Sequence, residues 1–406
     1  MPAKDVSSVS IGRLMLGVAL GLILLATLTP FPGARLPDFV GCVICGVRGW
    51  SDALANLILF VPLGAALLAN GRTGPRAVGL AGLLSAGIEL AQIFIPGRDP
   101  SLGDVCFNTL GAAVGQVTAA LALKLAACSG RAAARLSLVS AIGVAVVTGV
   151  TGWLLLPALP LSALRAWYSP DRPDLELFRG RVISTSLGSV PFRTSVFPNP
   201  DEVRRSLLTG APLRIVALAG ARARALAPML VIEDEDGNEL LLTGPDRDDW
   251  VLRLRTRAAS HRLDQPDLRL RGALTRVAPG DTLRIEARRD PDGYCLRVNE
   301  TQACRLGFTI GSGWALLLYL RHFPPWLQRL LGAAWVAGLV VPIGFWARKR
   351  WETVVGGSLL FITLALLPPL VGLLPTPGAQ WLGAGVGGLI GYGLQRLTAG
   401  VHDWRT

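Results

Sequence analysis

The stretch Ser51-Asp-Ala-Leu-Ala-Asn-Leu-Ile-Leu-Phe-Val-Pro-Leu-Gly-Ala-Ala-Leu-Leu-Ala69 sets the fold class, because its polar residues stand only at the start of a long apolar run. The same spacing returns in Asp104-Val-Cys-Phe-Asn108, with Ser101 shortly upstream. Residues four apart share one face of a helix. Each phrase therefore predicts a helix whose first turn is acidic and serine-capped, and which then enters apolar surroundings.

Apolar runs of this kind recur along the whole chain. Its 406 residues are 51% hydrophobic, and a membrane-spanning helix needs about 20 mostly apolar residues. Residues 14–28 imitate a signal-peptide core, but no small-x-small cleavage site follows, so we expect a retained helix. The sequence predicts eight spans, at about 11–30, 53–69, 77–96, 104–123, 137–157, 327–346, 353–374 and 381–398.

The basic residues predict an orientation for these spans. Outside residues 170–310 the chain holds 18 Lys and Arg against 8 Asp and Glu. If the amino terminus is cytoplasmic, twelve basic residues lie in or beside the cytoplasmic connections, whereas the short outer loops hold only Arg35, Arg48 and Arg98. Cytoplasmic loops of membrane proteins are enriched in Lys and Arg. We therefore expect a bacterial cytoplasmic (inner) membrane protein with both termini cytoplasmic and no nucleic-acid partner.

Between the fifth and sixth spans the pattern changes to alternation, which is typical of half-buried strands. The chain then divides into a transmembrane domain of about five helices (1–157), an extracytoplasmic antiparallel β-sandwich (158–318) and about three further helices (319–406). The sandwich is expected to be a jelly roll. The strands expected in it are 213–218, 229–233, 239–243, 250–255, 282–287 and 294–298.

The cysteines and acidic residues of the outer parts are expected to be structural. Cys295 and Cys304 flank a predicted hairpin tip, so a cross-strand disulfide fits an oxidising compartment. Cys42 and Cys45 form either a structural pair or two free thiols. The run Glu233-Asp-Glu-Asp236 is interpreted as a solvated turn rather than a calcium site.

The polar residues inside the apolar spans are the candidates for function. Glu89 lies within a span with Gln92 on the same face, and an unpaired charge there is costly, so it is either protonated or paired. Arg98 is the nearest basic candidate. Two interpretations stay open for the Asp/Asn phrases: capped helix starts with interhelical amide bonds, or the rim of a pocket. The candidate pocket comprises Asp52, Asn56, Glu89, Gln92, Arg98, Asp104 and Asn108.

Two glycine-rich phrases suggest an internal repeat. Val61-Pro-Leu-Gly64 and Gly111-Ala-Ala-Val-Gly115 are matched at nearly the same offset by Val341-Pro-Ile-Gly344 and Gly387-Gly-Leu-Ile-Gly391. If the repeat is real, the last three spans are a decayed copy of the second to fourth that lacks the polar residues. Because no strand precedes the second glycine run, we interpret it as close helix packing rather than nucleotide binding.

The first 124 residues resemble the VanZ-like family of small bacterial membrane proteins. The matching phrases are Thr27-Leu-Thr-Pro30, Asp52 to Gly64, Ile88-Glu-Leu-Ala-Gln92 with Arg98, and Asp104 to Gly111. This resemblance implies a link to reduced susceptibility to the glycopeptide teicoplanin. The region 170–320 looks like a concanavalin A/laminin G-type jelly roll, with Gly313-Trp314 near its close, which implies carbohydrate or protein binding.

These observations favour a non-enzymatic envelope protein that binds a membrane lipid, a lipid-linked glycan or another glycan. Its sandwich would recognise a saccharide or an envelope protein. The alternative is a membrane enzyme acting on a lipid-linked sugar or phospholipid head group at Glu89, Arg98 and Asp104. A transporter is the third hypothesis. The scattered His261, His322 and His402 do not suggest a zinc site, and we expect no metal and no cofactor.

Overall fold

The computed structural model describes residues 6–30, 43–44, 46, 48–126, 130–172, 175–192, 196–318 and 323–403. Arg35, Cys42, Cys45 and His322, for which expectations were stated, lie outside these residues. The helices of the described parts are α1 (Val6–Leu28), α2 (Gly49–Ala69), α3 (Pro75–Gln92), α4 (Leu102–Ala126), α5 (Gly130–Leu155), α6 (Pro200–Thr209), α7 (Arg257–Ser260), α8 (Pro325–Trp346), α9 (Arg350–Leu370) and α10 (Gly378–Asp403).

The eight long helices coincide with the eight predicted spans, and the hydropathy of five marks a membrane protein. Helices α2, α4, α5, α8 and α9 are long and apolar enough to cross a membrane. Helix α1 contributes a shorter apolar segment, Gly12–Leu28. Helix α3 is less apolar because Ser85, Glu89 and Gln92 interrupt its sequence. The full count of eight spans therefore stays a prediction.

Helices α1 to α4 share one apolar core, to which α1 gives Ile23, α2 gives Phe60 and Leu63, and α3 gives Ile88. Helices α2 and α4 pack closest. A Cβ added to Gly111 or Gly115 of α4 would overlap a backbone carbonyl oxygen of α2. Small residues are what allow two membrane helices to approach this closely.

Helices α5, α8, α9 and α10 form a second core of the same kind, which includes Val336, Val340 and Leu364. Helix α10 lies against α8 as α4 lies against α2, and a Cβ on Gly387 or Gly391 would overlap backbone carbonyls of α8. The glycine run of α10 thus serves helix packing, as its sequence context indicated.

The region between α5 and α8 contains two antiparallel sheets. One has the order β1-β5-β6-β7-β8 and the other β11-β10-β9-β4-β2-β3. The strands are β1 (Leu164–Tyr168), β2 (Arg181–Leu187), β3 (Val190–Pro191), β4 (Leu213–Leu218), β5 (Leu230–Asp234), β6 (Glu239–Asp246), β7 (Asp249–Leu254), β8 (Leu268–Leu270), β9 (Thr282–Asp290), β10 (Gly293–Val298) and β11 (Thr301–Leu306).

The two sheets enclose a single apolar core, so this region is a β-sandwich. Trp250 of one sheet and Ile215 and Leu296 of the other are almost completely buried in it. The alternation of buried and exposed residues along β4 follows from the period of two in a strand. A disulfide joins Cys295 of β10 to Cys304 of β11. The acidic run at Glu233–Asp236 is only partly the solvated turn that we expected, because its first half ends β5 and only Glu235 and Asp236 form an exposed turn. Asp234 is buried and accepts a hydrogen bond from the backbone N–H of Asn238 at 2.7 Å.

Candidate functional site

The acidic residues predicted from sequence converge at one end of the α1–α4 bundle. Asp52 and Asp104 lie in the first turns of α2 and α4, and Glu89 lies in the last turn of α3. Asp52 and Glu89 both interact electrostatically with Asp104, and the Asn56 side chain hydrogen-bonds to Asp104. Helix N-termini carry partial positive charge, which stabilises first-turn carboxylates. We refer to Asp52, Asn56, Glu89 and Asp104 as the acidic cluster.

Glu89 holds the loop that leads into α4. Its Oε2 accepts a hydrogen bond from the backbone N–H of Ser101 at 2.9 Å, and Ser101 Oγ accepts one from the N–H of Gly103 at 3.0 Å. Ser101 therefore caps α4 as predicted. Because Glu89 is 8% exposed, its carboxyl group lies at the inner wall of the cluster, whereas Asp52 is exposed at its mouth.

Arg98 lies differently from the pairing with Glu89 that we expected. Its Nε donates to the carbonyl of Thr29 at 3.0 Å and its Nη2 to that of Ala26 at 2.6 Å, at the end of α1. Burial lowers the pKa of this guanidinium. Carbonyls at a helix C-terminus carry partial negative charge and attract a cation. Arg98 thus fastens the α3–α4 loop to α1.

The two remaining amides lie at different depths, Gln92 at the outer end of α3 and Asn108 one turn inside Asp104. Gln92 Nε2 donates to the Thr27 carbonyl at 3.0 Å, and Asn108 Nδ2 donates to Ser85 Oγ at 2.8 Å. Asn108 is 1% exposed, and its Oδ1 has no hydrogen-bond partner among the described residues. Buried polar atoms are nearly always hydrogen-bonded, so an acceptor without a donor needs an explanation. Ser85 was not predicted, since a lone serine in an apolar run carries no signal.

The sandwich covers the beginning of α2, which the sequence did not predict. The backbone N–H groups of Trp50 and Ser51 donate to the Arg262 carbonyl at 3.2 and 3.4 Å. Ser51 Oγ donates to the Leu316 carbonyl at 2.8 Å and accepts from the N–H of Asp264. Ser51 therefore does not cap α2, because the inserted domain already satisfies these N–H groups.

One further ion pair lies at this contact. Arg48, before α2, approaches Asp264 of the sandwich at 3.7 Å. Arg48 also attracts the Asp52 carboxyl group, and the other side chains that face one another in the cluster are carboxyl groups and the Asn56 amide. Such groups accept hydrogen bonds. The site is therefore suited to hydroxyl or ammonium donors rather than to a phosphate.

The described residues offer no metal site in the acidic cluster. The one group of His, Cys, Asp and Glu ligand atoms close enough to hold an ion within the described ranges is Asp290 with Cys295 and Cys304. The two cysteines are joined in the disulfide.

Comparison with known proteins finds one similarity, which covers the first bundle. The family model described as VanZ/LLP1 matches residues 8–123, which run from α1 to near the end of α4. The acidic cluster, Gln92, Arg98 and Asn108 all lie within this match. No curated protein and no solved structure matches the chain. Residues 8–123 are thus similar to the VanZ/LLP1 family, and the match does not extend to the sandwich or to α8–α10.

Proposed function

We propose that this VanZ-like membrane protein is a non-enzymatic component of the bacterial envelope that binds the sugar part of a lipid-linked or other glycan at its acidic cluster. The cluster would face outward from the cytoplasmic membrane, with both termini in the cytoplasm. Such binding would modulate susceptibility to teicoplanin-type glycopeptides. The observation that carries the proposal is the convergence of three carboxyl groups and Asn56, from three helices, at the bundle end that contacts the sandwich.

A glycan fits this chemistry better than the anionic head group also considered from the sequence. Sugar hydroxyls both donate and accept hydrogen bonds, so they can bond to a carboxyl group whether it is ionised or protonated. The buried Asn108 Oδ1 adds an acceptor behind the cluster. An anionic group would instead meet Asp52, Glu89 and Asp104 with the helix α2 N–H groups already occupied. Any of these carboxyl groups that is ionised would repel the anionic group.

The direct test is the lipid that co-purifies with the full-length protein. We expect mass spectrometry to find a saccharide-bearing lipid with the wild-type protein and not with the double variant Glu89→Gln/Asp104→Asn. Asp99→Asn is the matched control, because Asp99 is an exposed carboxylate in the loop between α3 and α4. Retention of the same lipid by the double variant, or its absence from the wild type, would contradict the proposal.

The host phenotype tests the biological part of the proposal. In a strain whose teicoplanin susceptibility depends on this protein, Glu89→Gln/Asp104→Asn should change the susceptibility. Asp99→Asn should leave the susceptibility at the wild-type level. Equal accumulation of the variants in the membrane is the necessary control. An unchanged phenotype in the double variant would separate glycopeptide susceptibility from the acidic cluster.

The sandwich is proposed to be a lectin-like module of the concanavalin A/laminin G kind. Its support is the architecture of two antiparallel sheets around one core. Full-length protein carrying Glu89→Gln/Asp104→Asn, applied to a glycan array, should still bind saccharides through the sandwich. If the protein does not bind saccharides above the level of the empty support, the sandwich is a spacer or a protein-binding module instead.

A membrane enzyme is the second candidate, and the electrostatic contact between Glu89 and Asp104 favours it. Two interacting carboxyl groups can divide the roles of acid and base. Glu89→Gln would then keep the co-purifying lipid but stop its turnover by purified protein. Arg98, held on the α1 carbonyls, would position the loop rather than touch the substrate.

A further inference from the structure

A second cavity, distant in sequence from the acidic cluster, lies between the sandwich and the second helical core. Its volume is about 560 Å³, within the range of small-molecule pockets. The walls come from the end of α5 (Leu155), from β7 and β8 (Leu254 and Leu268) and from the segments after β11 and α9. Neither the VanZ/LLP1 match nor the proposed function includes it.

The inner wall of this cavity is apolar. The lining side chains Leu252, Leu254, Leu268, Leu306 and Phe308 all belong to or pack on the sandwich core. A saccharide would need hydrogen-bonding groups along such a wall. A hydrocarbon chain needs none, and its burial against leucines is favourable in itself. The shape and chemistry of the inner part therefore fit an acyl chain.

Charged groups gather at one side of the same cavity. Arg289 and Arg305 line it together with Asp292, which leaves one net positive charge. The described residues show no ion pair to either arginine, and Arg289 lies 5.7 Å from the centre of the Tyr294 ring. Arg305 has a φ of 58°, the left-handed conformation that side chains rarely adopt. Strained backbone of this kind often accompanies a functional position.

A buried hydroxyl supplies an independent sign of a missing ligand. Thr256 lines the cavity and is 3% exposed, and its Oγ1 has no hydrogen-bond partner within the described residues. Its backbone N–H, by contrast, donates to Gln265 Oε1 at 3.3 Å. A polar group that enters the cavity would find a free hydrogen-bonding partner in this hydroxyl.

The cavity also lies at the ends of two helices that are apolar enough to span a membrane, α5 and α9. The last turn of α9, a helix apolar enough to span a membrane, lines it with Pro369, and the neighbouring Leu370 is 80% exposed. Trp153 near the end of α5 is partly exposed, with the Arg257 guanidinium 5.1 Å from its ring centre. Tryptophan with a basic neighbour is typical of the level of lipid head groups. A lipid can thus reach the cavity from the bilayer.

We propose that this cavity binds an anionic amphiphile, with its acyl chain between the sandwich and the ends of α5 and α9 and its charged group at Arg289 and Arg305. The inference is independent of glycan binding at the acidic cluster. In effect, the sandwich would hold a lipid drawn from the adjacent leaflet.

The test uses full-length protein in phosphatidylcholine nanodiscs and a palmitic acid that carries a mid-chain diazirine. After irradiation, we expect labelled peptides from β7 and from the 306–308 segment, besides those from lipid-facing helices. Leu254→Trp fills the cavity and should remove the labels from β7 and from residues 306–308. The labels on the lipid-facing helices should remain, which would show that the variant is folded. Labels confined to the helices, or unchanged by Leu254→Trp, would overturn the proposal.

The charged end is tested with Arg289→Gln/Arg305→Gln. Loss of hydrogen bonds to a charged group should lower cavity labelling by the acid roughly tenfold. Arg276→Gln/Arg284→Gln removes the same charge from exposed sandwich positions and should have no effect. The matching diazirine fatty alcohol should label weakly in every variant. Equal labelling by acid and alcohol would refute the anionic class, and competition by inorganic phosphate alone would refute the lipid.

Discussion

Helix pairs α2/α4 and α8/α10 pack in the same way although their outer ends differ in chemistry. In the first pair, Gly111 and Gly115 meet the backbone at Leu57 and Val61. In the second pair, Gly387 and Gly391 meet Ala337 and Val341, and Gly64 and Gly344 make the reciprocal contacts with Ala112 and Gly388. The contact residues have the same spacing along α2 as along α8, and the same spacing along α4 as along α10. Helices α2 and α8 each also contain a proline, Pro62 and Pro342 respectively.

The outer ends of the two pairs differ at the equivalent positions. Where the first pair has Asn56 and Asn108, the second has Val336 and Ala384, both in its apolar core. Gln380 stands where Asp104 does, and its side chain holds Thr309 and Gly311 of the 3₁₀ helix after the sandwich. Because the second pair packs equally closely without the polar residues, the acidic cluster is not needed for packing. This difference is the strongest argument that it serves binding.

The second core is completed by a residue of the sandwich. Ile310 is completely buried among Val336, Leu364 and Ala384. The 3₁₀ helix that carries it, Ile310–Leu316, ends where Leu316 accepts the hydrogen bond from Ser51 of α2. This one segment thus contacts both helical units, and it explains how the sandwich is held against each.

The largest effect should follow from breaking the close approach itself. A valine at Gly115 or at Gly391 would overlap backbone of the facing helix, which cannot move aside as a side chain would. Overpacking of this kind costs about 3 kcal/mol or more. We expect both variants to lose most folded protein, measured as the monodisperse fraction in size-exclusion chromatography of a fluorescent fusion.

Gly385→Val is the matched control for these variants. Gly385 lies in α10 between the contact glycines, and a Cβ there meets nothing within 4 Å. It should behave like the wild-type protein. If only the Gly115 variant fails, the two pairs do not share one packing requirement, and their likeness is superficial.

The sequence predicted most of the fold because its signals were local. The long apolar runs mark the helices, and alternation marked six strands, from β4 to β10. It missed β1, β2, β3, β8 and β11. Strand β3 has two residues and β8 three, too short for a periodic signal, and β11 pairs as an edge strand with mostly exposed side chains. The Gly313-Trp314 phrase belongs to the 3₁₀ helix.

The site was only partly predictable, because its contacts are tertiary rather than local. The i,i+4 spacing placed Asp52 with Asn56, and the predicted topology grouped Asp104 and Glu89 with them, but only the tertiary structure shows that the Asn56 side chain hydrogen-bonds to Asp104. The pairing of Glu89 with Arg98 failed as an expectation because proximity in sequence ignores the α1 carbonyls, which are better placed. Likewise, the capping of α2 by Arg262 depends on a tertiary contact more than 200 residues away.

A smaller but still large effect is expected at Ile310, which distinguishes the second core from the first. Ile310→Ala leaves a cavity in an apolar cluster and should lower the free energy of unfolding by about 2 to 5 kcal/mol. Thermal unfolding in detergent, followed by the loss of monodisperse protein, measures it. Leu318→Ala, at a half-exposed position just beyond the 3₁₀ helix, is the control. A shift no larger than that of the control would mean that Ile310 does not complete this core.

The smallest effect on stability is expected from exchanging the residues that differ between the two cores. Asn108→Ala removes a membrane-buried hydrogen bond, worth about 1 kcal/mol or less, but also removes the unsatisfied Oδ1. Its stability should therefore stay within about 1 kcal/mol of the wild type. Ala384→Asn places an unpaired amide in an apolar core and should cost about 1 to 3 kcal/mol. Thermal unfolding of both variants measures the asymmetry.

If Asn108→Ala is at least as destabilising as Ala384→Asn, then Asn108 is a structural residue. If it is stable yet no longer retains the co-purifying glycan, the polar residues that separate the first core from the second are kept for binding.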